Sequence, residues 1–67
     1  MSEFSEAVVA ALTAEWRSTS EIAAQFPNPR KVYPITSHVY KILDTAERRG
    51  VAEKKVVDRR AYWRLRP

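Results

Sequence analysis

Apolar residues recur along this chain at two spacings, and the change from one to the other falls at its only glycine. Phe4, Ala7, Val8, Ala11 and Leu12 lie three and four positions apart, one stripe along a helix from about Glu3 to Ala14. Val9 lies off that stripe beside Ala10 and Thr13 and reads as a lone exposed valine or as a contact between two copies. Ser18-Thr19-Ser20-Glu21 has the spacing of a capping box, so a second helix is expected from Thr19 to about Phe26, burying Ile22, Ala23 and Phe26. Pro27 limits it, because the residue before a proline is pushed out of the helical region. Val39, Ile42, Leu43 and Ala46 stand at i, i+3, i+4 and i+7 and predict a third helix, about Thr36 to Arg49. Thr36 is its expected N-cap and Gly50 the left-handed residue that closes it.

Beyond Gly50 the period becomes two. Ala61, Trp63 and Leu65 point one way while Tyr62 and Arg64 point the other. Val51 to Val57 is the expected partner strand, with Asp58-Arg59-Arg60 as the turn. Trp16-Arg17 reads as a short extended link. Pro27 to Ile35 reads as a loop stiffened by three prolines, each fixing one φ. Arg30 and Lys31 stand at its middle, placed either for a phosphate or for water alone. The pattern predicts one α+β domain over residues 1–67, with three helices and a C-terminal two-stranded hairpin over about 51–65.

Length and composition narrow this. A chain of 67 residues has room for one thin core, and a domain this small is marginal without help. Cysteine is absent and histidine occurs once, so neither a disulfide nor a structural zinc site is expected to help. A homodimer is the remaining common support. No apolar run approaches the ~20 residues that span a bilayer, and the acidic start lacks the cationic region of a secretory signal, so a cytoplasmic protein is expected. The charge is polarised. Residues 1–26 hold one base against four acids, net −3, whereas residues 27–67 hold eleven bases against four acids, net +7. Such an imbalance suits docking one side on a polyanion.

The carriers of a resemblance are Ser18-Thr-Ser-Glu-Ile-Ala-Ala, Ser37-His-Val-Tyr-Lys-Ile-Leu and Arg49-Gly-Val-Ala-Glu-Lys, followed by the hairpin ending Tyr62-Trp-Arg-Leu. In this order they resemble the prokaryotic winged helix-turn-helix regulators, and look most like the minimal DNA-binding domains of bacteria, archaea and their viruses. The resemblance runs from about Glu3 to Leu65. It implies a three-helix winged helix with the third helix in the major groove of duplex DNA and the basic wing tip on the backbone. Ser37, His38, Tyr40, Lys41 and Thr45 then become groove-facing candidates, and Arg59 and Arg60 wing contacts. The family joins its second and third helices by three or four residues, whereas Pro27 to Ile35 is longer here.

The residues themselves support the same chemistry, each with a plainer alternative. Lys41 suits guanine O6 and N7 or a phosphate, or pairs with Asp44 along the helix. Thr36 and Ser37 suit a phosphate at the helix start, with one of them spent on capping. His38 suits DNA contact or pH sensing, or lies idle on the surface. Arg59 and Arg60 carry permanent charge at the hairpin tip. Lys54, Lys55 and Arg64 rank second, with Arg30 and Lys31 of the loop. Trp63 reads as core and Tyr62 as the more exposed aromatic. Ser37, His38 and Asp44 are the residue types of a hydrolase triad, but on one helix they point apart, so no enzyme is expected. Nor is a cofactor, a metal or a small-molecule ligand. The expectation is double-stranded DNA binding by a small transcriptional regulator. The alternative is a winged-helix adaptor that contacts protein; single-stranded or RNA binding comes third.

Overall fold

The computed structural model describes residues 3–26 and 35–67, so the expected loop with Arg30 and Lys31 lies outside the described residues. The order of elements is α1 (Glu3–Ala10), β1 (Arg17–Ser18), α2 (Thr19–Ala23), α3 (Ile35–Arg48), β2 (Ala52–Val57) and β3 (Arg60–Leu65). The described residues form a small α+β structure of three helices and a three-stranded antiparallel sheet, in the order β1-β3-β2.

α1 stops four residues before the expected Ala14. Its last turn tightens, with Ala11 N–H shared between the carbonyls of Ala7 and Val8 at 3.1 and 3.2 Å. Thr13 then folds on itself, its hydroxyl accepting from Glu15 N at 3.1 Å, and its carbonyl accepts Leu65 N–H at 2.7 Å. A threonine that offers the backbone a local partner competes with helix, and the tie to the end of β3 decides the contest. Ala7 faces solvent, contrary to the stripe, while Val8 and Leu12 are buried. Val9 is no lone exposed valine: it is half-buried and packs against the core.

α2 begins as expected. Ser18 Oγ accepts from Glu21 N at 3.1 Å, and Ser18 N donates to Glu21 Oε1 at 3.3 Å, the two halves of a capping box. The α-helix ends at Ala23, and Gln25 and Phe26 follow through i→i−3 bonds of 3.1 and 3.0 Å. The expected span to Phe26 is therefore covered by a tighter turn rather than by α-helix. α3 opens at Ile35, so Thr36 lies inside the first turn instead of capping it. It closes as expected: Gly50 has φ +80°, Gly50 N–H reaches Glu47 O and Val51 N–H reaches Ala46 O, both at 3.0 Å. These are the paired 5→2 and 6→1 bonds of a Schellman motif.

Val8, Leu12, Ile22, Ala23, Val39, Leu43, Ala46, Ala52 and Trp63 make the core. Trp63 is completely buried, and the side that it marks on the sheet packs on the helices. Leu65 does not follow Trp63 inside; it is 41% exposed, although Ala52, its partner at the sheet's end, is buried. Tyr62 is half-buried and thus the more exposed of the two aromatics, as the alternation predicts. Of Trp16-Arg17, expected as a link, Arg17 contributes with Ser18 to the sheet, pairing with Trp63 and Tyr62 in turn. The hairpin turn is two residues, Asp58-Arg59, with φ +50° and +67°, and Arg60 belongs to β3, paired with Val57. Two positive φ values describe the primed turn whose twist matches antiparallel strands. Among the described residues no helix is long and apolar enough to cross a membrane.

Candidate functional site

An open cleft of about 880 Å³ lies between the start of α3 and the end of the β2–β3 hairpin. Thr36, Ser37, Tyr40 and Lys41 line it from α3, Val56, Arg59, Arg60 and Ala61 from the hairpin, and Ser18 to Ser20 from the start of α2. The capping box explains why α2 presents its first turn here: Ser18 is tied down, which leaves Ser20 exposed on the cleft wall. The primed turn explains the hairpin wall, because it carries Arg59 and Arg60 to the tip without splaying the strands.

The cleft is cationic. Lys41, Arg59 and Arg60 are exposed, and none of them forms an ion pair with a described carboxylate. None of the lining residues is acidic. Asp44, the partner considered for Lys41, is instead 3.2 Å from Arg48 and 3.8 Å from Lys54. Uncompensated cations in a concave surface focus the local potential and attract anions. Ser20, Thr36 and Ser37 add exposed hydroxyls. The arrangement holds donors for phosphate oxygens on both walls and side chains able to read a base edge on one of them.

The structure sorts the expected residues into groups. Ser37, Tyr40, Lys41, Arg59 and Arg60 share the cleft. Tyr40 is held by an edge-on contact with Trp63, at 5.3 Å and 80°, which fixes its ring at the cleft floor. His38 and Thr45 lie on the flank of α3 that faces α1, along a smaller apolar hollow with Val9, Ile42 and Val51. The His38 ring stacks on Phe4 at 5.0 Å and 17°, and Thr45 Oγ1 donates to Lys41 O at 3.0 Å. Lys54 is turned inward, between Asp44 and the rings of Tyr40 and Trp63 at 5.8 and 5.7 Å. Lys55 is on the other side of the sheet, 4.6 Å from the ring of Trp16.

Two contributors escaped sequence reasoning. Ser20 sits two residues after the capping serine, and an exposed hydroxyl inside a capping box was the available signal. Val56 is 63% exposed on the hairpin wall, and its alternation with Lys54 pointed to this side of the sheet. Among the described residues no group of acids and histidines is placed to hold a metal ion. Compared with family models, curated proteins and solved structures, the chain matches none.

Proposed function

We propose that this protein is a winged helix that binds double-stranded DNA, as a small transcriptional regulator. The observation that carries the reading is the cleft itself: three cations without carboxylate partners, supplied by the first turns of a helix and by the tip of a hairpin. In this reading α3 enters the major groove through Ser37, Tyr40 and Lys41. The sugar–phosphate ridge beside that groove lies in the cleft, and Arg59 and Arg60 close on it from the hairpin. Phosphate contacts supply most of the affinity, and Lys41 with its hydroxyl neighbours supplies base selectivity.

The test is a fluorescence titration of a labelled duplex at low salt with wild type, Lys41→Ala, and paired Arg59→Ala and Arg60→Ala. Both variants are expected to bind less tightly. Wild type and variants binding alike would remove the cleft as the interface.

A second reading, an adaptor that contacts protein, draws on the apolar hollow of Val9, Ile42 and Val51, with Val51 42% exposed. A mobility shift on random duplex separates the two, because the adaptor reading predicts none.

A further inference from the structure

The side of the sheet turned away from the helices carries a second set of cations. Strand alternation places Arg60, Tyr62 and Arg64 on the side opposite the buried Trp63, and the register sets Tyr62 beside Lys55 and Arg64 beside Glu53. Trp16 precedes β1 and joins them. Lys55 Nζ lies 4.6 Å and Arg64 Cζ 4.5 Å from the centre of its ring, and Lys55 also lies 5.9 Å from that of Tyr62. Arg64 Nε donates to Glu53 Oε2 at 2.6 Å, which leaves the guanidinium's terminal nitrogens with donors for another acceptor. Three cations against one carboxylate give this side an excess of positive charge. The ring and Glu53 hold two of those cations in place, so less side-chain freedom is lost when an anion binds.

We propose that this outer side is a second nucleic-acid contact surface, which takes the phosphate backbone of a duplex segment other than the one in the cleft, so that one molecule bridges two segments. The inference rests on the duplex reading above. Arg60 borders the cleft and also begins the outer row, so the two cationic surfaces meet at the hairpin tip. One duplex cannot occupy both, because DNA with a persistence length of about 150 base pairs does not fold around a two-stranded ribbon. Phosphate rather than base is the expected contact, since the π surface of Trp16 is engaged by Lys55 and Arg64. With Arg60 engaged in the cleft, Lys55 and Arg64 are the cations that this side offers to the second backbone.

The experiment immobilises one duplex, loads the protein, and measures retention of a second, labelled duplex. Wild type is expected to retain it. Paired Lys55→Gln and Arg64→Gln should lower retention by about tenfold or more, the weight of two phosphate contacts, with single-duplex affinity changed by less than about threefold. Lys55→Glu, which disturbs no ion pair with a described residue, should do the same if the paired variant fails to fold. Wild type that binds the first duplex but not the second overturns this inference and leaves the cleft reading standing. Wild type that binds neither overturns both. Unchanged retention by folded variants, or a second duplex displaced only by an acidic polypeptide at equal charge and not by unlabelled duplex, also overturns it.

Discussion

The indole nitrogen of Trp63 donates a 2.8 Å hydrogen bond to the hydroxyl of Thr19, although 44 residues separate them. Thr19 Oγ1 in turn lies 3.3 Å from Ala61 O. A single hydroxyl at the start of α2 thus satisfies the one polar atom of the largest core side chain and ties both to β3. The same bond sets the floor of the cleft, because Tyr40 rests edge-on against Trp63.

Replacing the hydroxyl by a methyl tests that link. Thr19→Val strands a buried indole N–H and is expected to cost ~1–3 kcal/mol. Trp63→Phe removes the donor together with packing. In urea unfolding the double variant should lose less than the sum of the singles, by ~0.5–3 kcal/mol. Simple additivity would mean that the bond contributes nothing to stability.

The hairpin turn places two L-residues in the left-handed region, at φ +50° for Asp58 and +67° for Arg59. Asparagine followed by glycine suits this turn best. Asp58→Asn with Arg59→Gly is therefore expected to stabilise the fold by ~1 kcal/mol. On a domain of this size that raises Tm by roughly 4–8 °C. Duplex affinity should move the other way, since a guanidinium is lost from the tip. A variant that is both more stable and equally tight would show that Arg59 is not a contact.

Gly50 closes α3 at φ +80°, and a Cβ there would meet only Arg66 Nη1 at an ordinary 3.6 Å. The penalty for Gly50→Ala is then backbone strain without a clash, ~1–2 kcal/mol. Gly50→Asn should cost less, because asparagine tolerates the left-handed region. Thermal unfolding of the two variants checks the order; equal losses would point to sterics instead.

Lys41 and Lys54 differ by placement, and binding should register it. Lys41→Ala is expected to weaken duplex binding and to reduce the steepness of log K against log salt by ~1. Lys54 sits with Asp44 at 3.8 Å and beneath two rings, so Lys54→Ala should cost at most ~1 kcal/mol of stability for the exposed part of that pair. Its effect on the salt slope should be small. For wild type, ~4 neutralised phosphates predict a slope near −3.6. A flat response would remove the duplex reading.

Features set by neighbouring residues were legible in the chain. The capping box at Ser18 and Glu21 and the closure at Gly50 depend on contacts within a few positions and form as read; of the buried face, Val39, Leu43 and Ala46 are buried and Ile42 is half-buried. Within the candidate site the same holds for the exposed start of α3 and the cationic hairpin tip. Local pattern reports which way a side chain leaves its own element. It does not report what stands opposite.

That second matter explains the differences. α1 ends at Ala10 because Thr13 O is taken by Leu65 N, a partner 52 positions away that no helical periodicity includes. Lys54 and Lys55 are adjacent and alike in sequence, yet strand alternation sends one toward Asp44 and Tyr40 and the other toward Trp16. His38 and Ser37 are neighbours on one helix, and the packing of α1 against α3 assigns only the first to Phe4.

The amino-acid order alone determined where helices begin, where the period changes and where charge accumulates, since these follow from short-range sterics, hydrogen bonds and hydrophobic spacing. Tertiary structure alone decided that Arg17-Ser18 joins the sheet, which cations line the cleft and which pack on aromatic rings on the far side. Those outcomes depend on strand register and on the docking of helices, which bring together groups tens of residues apart.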